Sequence, residues 1–177
     1  DGSMPFDEAE ALVFPRLWQN AESEFKTDYL GNTLTPEQQE IEGYYEVLAR
    51  SSTGVTVEPY AFYFTAGDHT LTLRDPGQQA AVAAVVLQPA EITSDYKEVS
   101  ADYDIADTEA DTIVIEGESA AVKSSSSLIP KSDNTDAGMS PSDVMYTRLN
   151  YIGGTSWQDA GQFLVWNFDV EEPGYYK

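Results

Sequence analysis

The stretch Leu164-Val165-Trp166-Asn167-Phe168-Asp169-Val170 decides the fold class, because its largest apolar residues, Leu164, Trp166, Phe168 and Val170, fall on every second position. Side chains of an extended chain alternate between two faces, so this pattern predicts a strand with one face buried and the other wet. Glu171-Glu172-Pro173-Gly174 then reads as a turn, and Tyr175-Tyr176 as the opening of a further strand. The chain stops as that strand begins, which reads as a cut from something longer. Asp1-Gly2 likewise resembles the exit from a hairpin whose first strand is absent.

Working outward, Tyr60 to Phe64 and Thr70 to Arg74 flank the turn Ala66-Gly67-Asp68 and predict a hairpin. Ala81 to Leu87 is a continuous apolar run and predicts a strand covered on both faces, with a short helix as the alternative. Thr112 to Glu116 is rich in β-branched residues, and Tyr146 to Ile152 offers one more strand before Gly153-Gly154. Helix signals are few. Thr35-Pro36-Glu37, followed by Gln38, Gln39 and Glu40, combines a cap, a first-turn proline and acidic residues, which predicts a short helix near 36–42. Asp7 to Leu12 predicts a further turn of helix. Acidic residues accumulate without periodicity from 94 to 111, the composition of a solvated linker. Ser124 to Ser142, with four consecutive serines, Pro130, Gly138 and Pro141, reads as a loop with little capacity to bury itself.

Composition narrows the function classes. The 177 residues include 31 acidic and 9 basic side chains, a formal charge of −22, with one histidine and no cysteine. A field this negative repels phosphate backbones and anionic headgroups, so nucleic acid and membrane surfaces are poor partners. Without cysteine there is no disulfide framework, thiolate metal site or cysteine nucleophile. No apolar stretch approaches the roughly 20 residues that span a bilayer, so membrane insertion is not expected. An apolar content of 41% still suffices for a packed core.

Catalytic signals are weak. His69 is the one side chain whose ordinary pKa lies near neutrality, but it stands between a glycine turn and an alternating stretch, where a turn-stabilising role is the better reading. No nucleophile elbow, phosphate-cradling loop or spaced histidine pair accompanies it. Acid pairs for glycoside hydrolysis can be drawn anywhere among so many carboxylates, so their abundance carries no signal. Two features rise higher. Glu116 and Glu118 in Ile115-Glu116-Gly117-Glu118-Ser119-Ala120 share one side of an extended chain, an arrangement suited to a hard cation such as Ca²⁺ or to a strand end facing water. Aromatic residues also cluster beside glycines and turns, as at Trp18, Tyr151 and Trp157, and their faces suit the C–H face of a sugar ring. Trp157 stands out because it follows Gly153-Gly154-Thr155-Ser156 in a loop.

Residues 113–177 resemble the first half of a galactose-binding-like β-sandwich. The resemblance rests on Ile115 to Ala120, on Gly154-Thr155-Ser156-Trp157-Gln158-Asp159-Ala160-Gly161-Gln162-Phe163, on Trp166, and on Val170-Glu171-Glu172-Pro173-Gly174-Tyr175-Tyr176. These are similar to carbohydrate-binding modules of families six and thirty-five, in which paired glutamates commonly hold a structural Ca²⁺; the resemblance carries that role onto Glu116 and Glu118. Residues 1–93 look like the second half of such a module, through Asp1-Gly2-Ser3-Met4-Pro5-Phe6, Phe14-Pro15-Arg16-Leu17-Trp18 and Ala66-Gly67-Asp68-His69-Thr70-Leu71-Thr72-Leu73. The wording of these motifs is similar to tandem modules in very large extracellular solute-binding proteins of Gram-positive bacterial sugar ABC transporters. Ala81 to Leu87 lacks the aspartate that often completes the calcium site in those modules.

The expectation is therefore an all-β jelly-roll β-sandwich, with 1–93 as the C-terminal half of one module, 94–111 as acidic linker and 112–177 as the N-terminal half of the next. Alternatively, both halves close into one permuted sandwich. The resemblance implies a non-catalytic carbohydrate-binding role in a secreted or surface-attached bacterial protein, beside neighbouring domains of a larger chain. A glycan would stack on Trp157 and Trp18, with Tyr151, Asn150 and Gln158 as hydrogen-bond partners. The rival reading is a structural spacer or interaction domain without a sugar site.

Overall fold

The computed structural model describes residues 12–54, 58–75, 77, 79–90, 94–101, 112–136, 138–172 and 176. Within them the chain forms six short strands in two antiparallel sheets: β1 (Trp18–Asn20), β2 (Gln38–Glu40), β3 (Val122–Lys123), β4 (Pro130–Lys131), β5 (Tyr151–Ile152) and β6 (Leu164–Val165). The larger sheet has the order β2-β1-β3-β6 and the smaller pairs β4 with β5. One helix, α1 (Tyr96–Ala101), and two 3₁₀ turns, Gly117–Ser119 and Gly154–Ser156, complete the regular structure. This is a β-rich, antiparallel architecture with little helix.

Two strands of the larger sheet come from before the acidic stretch and two from after it. Trp18 lies opposite both Glu40 and Lys123, Asn20 lies opposite Gln38, and Lys123 lies opposite Leu164. Residues directly opposite share a face. Trp18, Asn20, Gln38, Glu40, Lys123 and Leu164 therefore point one way, and each is buried or half-buried, whereas Gln19, Gln39 and Val165 on the other face are exposed. Flanking amides lengthen the ladders: Ala21 N–H donates to the Glu37 carbonyl at 2.8 Å and Ala121 N–H to the Val165 carbonyl at 2.8 Å.

The segments meet a second time at a turn. The Asp28 carboxylate accepts from the backbone N–H groups of Leu30 and Asn32 and from the Asn32 side chain, and the Asn32 bonds hold its pKa below the usual carboxylate value. Gly31 there has φ 93°, and a Cβ would sit 3.3 Å from the Tyr146 ring, so the turn needs glycine for backbone and space alike. Arg148 fastens it, donating to the Gly31 carbonyl at 2.7 Å and to Asp143 at 3.0 Å while its guanidinium lies 5.2 Å over the Tyr146 ring.

The core is small and lies beside the junction of the segments. Ala120, Leu128 and Leu149 are its buried apolar side chains, joined by Pro130. Several sequence expectations give way here. Residues 38–40 are strand rather than part of a helix over 36–42, because pairing with Trp18–Asn20 and the bond from Gln38 to Asn20 outweigh a weak local cap signal. The serine-rich stretch does bury itself: Leu128 and Pro130 are among the most enclosed side chains. Its serines make this possible by satisfying the turn locally, Ser125 and Ser127 sharing a 2.8 Å hydroxyl bond while Ser124 Oγ accepts from Phe163 N–H at 2.8 Å.

Residues 60–64 and 70–74 form no ladder, and 81–87 and 112–116 no strand, despite their patterning. Apart from the half-buried Tyr60 and Phe62, their apolar side chains are exposed, Tyr63 at 92% and Val86 at 67%, so little burial offsets the entropy of ordering them. His69 is engaged in its own turn, with Nε2 2.9 Å from the Thr65 carbonyl and its ring edge-on to Phe64. Strand structure is confined to Leu164–Val165 within 164–170 and to Tyr151–Ile152 within 146–152. Inside 94–111, Asp95 starts α1 by accepting from the backbone N–H groups of Glu98 and Val99. The helical turn expected over 7–12 lies outside the described residues except for Leu12, as does Pro173-Gly174-Tyr175.

Leu128 offers a direct check on this core. Leu128→Ala is expected to lower the unfolding free energy by about 2–5 kcal/mol in urea titration monitored by tryptophan fluorescence, with the slope unchanged.

Candidate functional site

The double glycine after β5 runs close to two aromatic rings. Gly153 has φ 102°, and a Cβ there would lie 3.1 Å from the Trp157 ring; a Cβ on Gly154 would lie 3.7 Å from the Tyr151 ring. At Gly153 a side chain would press on the Trp157 ring, whereas at Gly154 it would meet Tyr151 in ordinary van der Waals contact. The 3₁₀ turn Gly154–Ser156 follows at once, closed by Trp157 N–H donating to the Gly154 carbonyl at 3.1 Å. Lys131, opposite Tyr151 on β4, reaches under the loop and donates to the Gly153 carbonyl at 2.9 Å and to Ser156 Oγ at 3.0 Å.

Trp157 is 44% exposed. Its indole N–H donates to the Gln162 carbonyl at 3.3 Å, while the Gln162 side chain accepts from the backbone N–H groups of Gln158 and Asp159. The loop therefore holds the tryptophan by its nitrogen and leaves ring surface in water. Tyr151 is half-buried and Gln158 exposed on the same loop. An open concavity of about 550 Å³ bordered by Asp75, Gly77 and Gln79 contains none of these residues.

Asn150 and Trp18 stand apart from it. Asn150 is buried and fully engaged: Oδ1 accepts from Asp133 N–H at 2.9 Å and Nδ2 donates to the carbonyls of Asp133 and Pro141 at 2.8 and 3.1 Å. These bonds pin the 133–141 loop against β5. Trp18 is half-buried on β1, in the larger sheet.

The glutamate pair is arranged differently from an extended edge. Residues 117–119 form a 3₁₀ turn, so the two-residue alternation no longer places Glu116 and Glu118 side by side on a strand. Glu118 turns inward with 5% exposure, and Oε2 has no hydrogen-bond partner. Burial pushes its carboxyl above the usual range, its own backbone amide opposes that, and the charge of Glu116 adds to the rise. Gly117 lies beside Ile152 of β5, and its carbonyl accepts from the Trp166 indole at 3.2 Å. The orphan oxygen fits a hard cation, which would supply the positive partner that the protein does not. No group of three or more His, Asp or Glu gathers there or elsewhere among the described residues, so the remaining oxygens would have to be carbonyls or waters.

Sequence reasoning missed a second polar cluster. Lys123 is fully buried on β3, and its amine donates to Asn20 Oδ1 and, at 2.6 Å, to Gln38 Oε1. Gln38 Nε2 in turn donates to Asn20 Oδ1 at 3.0 Å. Burial lowers the Lys123 pKa to about 8. Lys123 lies outside every strand that the patterning predicts, so no local signal marked it as buried.

No family model matches this chain, and no curated protein or solved structure matches it either.

The raised pKa of Glu118 sets a pH signature. Folding disfavours its ionisation, so the penalty is absent below the ordinary carboxylate range, where both states are protonated, and grows as pH rises through that range to the raised value. In chelator, Glu118→Gln is expected to be more stable than the parent at pH 7, with the difference shrinking toward pH 4. Urea unfolding at both values measures it, and a difference that is the same at both pH values would contradict the assignment.

Proposed function

We propose that the chain is a non-catalytic carbohydrate-binding module, an all-β jelly-roll sandwich of the galactose-binding-like kind in which both halves contribute to one permuted body. The observation that carries this reading is the loop that secures the Trp157 indole by its nitrogen while leaving the side chain substantially exposed. A planar apolar face in a polar rim suits the C–H face of a pyranose, whose hydroxyls would bond to the neighbouring Gln158 side chain. The strong negative charge favours a neutral glycan over an anionic one. The sharing of one sheet by segments from both sides of the acidic stretch supports a single permuted sandwich.

Ca²⁺ belongs to this proposal as a structural ion. Glu118 Oε2 would be one ligand and Glu116 a second, and the ion would neutralise a carboxylate otherwise buried without a partner. Its effect would be on stability and on the setting of β5, from which the aromatic loop emerges. The protein would act outside the cell or attached to its surface, presenting a bound glycan to a sugar ABC transporter through neighbouring domains. Among the described residues no helix is long and apolar enough to cross a membrane.

A glycan array run with Ca²⁺ and repeated with chelator tests the reading. A selective, saturable hit is expected. Trp157→Ala is expected to weaken it roughly 30-fold or more, about 2 kcal/mol, while stability falls by less than the about 3–5 kcal/mol that a fully buried tryptophan commands. A blank array from folded protein would turn the assignment to a spacer domain.

A further inference from the structure

The cluster of Lys123, Asn20 and Gln38 sets reactive groups together in a way the glycan reading does not use. Three adjacent strands each contribute one member, and the register fixes them: Asn20 opposite Gln38, and Lys123 opposite Trp18, two residues from Asn20 on the same face. The amine and the side-chain amide are in direct contact although they are 103 positions apart in the chain. Gln38 bridges the two, its Oε1 accepting from the amine at 2.6 Å and its Nε2 donating to the Asn20 carbonyl oxygen at 3.0 Å.

The ion pairs among the described residues are Arg16–Glu40, Lys26–Glu22 and Arg148–Asp143, and none involves Lys123. A fully enclosed ammonium whose hydrogen bonds among the described residues go to neutral oxygens is costly, so burial moves the equilibrium toward the uncharged amine, which is the nucleophilic form. The pKa falls to about 8, so the neutral amine becomes the major form above that pH.

We propose that Lys123 and Asn20 form an intramolecular amide crosslink. The neutral Nζ attacks Asn20 Cγ and the Nζ–Cγ bond forms; the Cγ–Nδ2 bond breaks and ammonia leaves. Of the two amine hydrogens, one stays on the new amide and the other departs with Nδ2, so atoms balance, nothing is oxidised and no co-reactant is required. Gln38 takes part through both ends of its amide. The Nε2 donor polarises the Asn20 carbonyl and would stabilise negative charge gathering on Oδ1, while Oε1 aims the amine. Burial excludes the water that would compete for the carbonyl.

The bond would join β1 to β3 across the acidic stretch. In a chain without cysteine it would do what a disulfide does elsewhere, restricting the unfolded state by closing a long loop.

The test is the intact mass of the folded native chain after incubation at pH 9, where the amine is uncharged, followed by tandem mass spectrometry of a tryptic digest. The expected mass is about 17 Da below that of the sequence, the ammonia lost. The digest should contain a branched peptide joining segments 17–26 and 98–131, with no cleavage after Lys123. Lys123→Arg, which keeps the positive charge but has no amine that can form the bond, should show the full mass of its own sequence and only linear peptides. The full sequence mass from folded native chain would overturn the proposal. So would an ammonia loss found only in linear peptides, which marks imide formation at an asparagine.

Discussion

The structure depends on burying one lysine among amide side chains. Lys123 stands at the middle of the larger sheet, where β3 meets β1, and its amine ties Asn20 of β1 to Gln38 of β2. An apolar residue there would leave the two amides to each other, and a carboxylate would add to a charge already at −22. A cation of intermediate reach instead satisfies both oxygens and draws together strands from the two ends of the chain. The energetic balance is narrow, because desolvation of the amine opposes the bonds it makes, and the lowered pKa expresses that opposition.

Glu118 is the complementary case. Lys123 is a buried base whose hydrogen bonds are made; Glu118 is a buried acid with one oxygen left unmatched. Each is shifted toward its neutral form, for the same reason of poor solvation. Among the described residues Glu118 Oε2 is the buried side-chain atom left without a hydrogen-bond partner, whereas the Lys123 amine has two, so the same desolvation leaves one group unmatched and the other internally satisfied.

Legibility in the sequence followed the range of the interactions. Leu164–Val165 was legible because period-two patterning is a local property, Tyr151–Ile152 because strand-forming residues before a double glycine are, and the exposure of Trp157 because Gly153-Gly154 ahead of it marks a loop. The strand at Gln38–Glu40 was not, since its cause is a pairing with Trp18–Asn20 some twenty residues away, while its own Pro36 and acidic neighbours argue for helix. The burial of Leu128 and Pro130 was hidden by serines whose hydroxyls close the turn on themselves. In the opposite direction, Tyr60 to Leu87 carries strand periodicity without a ladder. Alternation specifies that one face is apolar, but it does not supply the surface against which that face would pack.

The same distinction bears on the site. Trp157 and Gln158 share one short loop that follows Tyr151 of β5, whereas Asn150, just before that strand, points inward and spends its amide on Asp133 and Pro141. Alternation along β5 and the two glycines after it separate these roles: one residue secures the base of the loop and the following ones form its outer surface. Lys131 completes the arrangement from below by holding the Gly153 carbonyl and Ser156 hydroxyl. With the backbone fixed from beneath, the tryptophan ring is held by the chain itself, and such preorganisation lowers the ordering cost for any molecule that would stack on it.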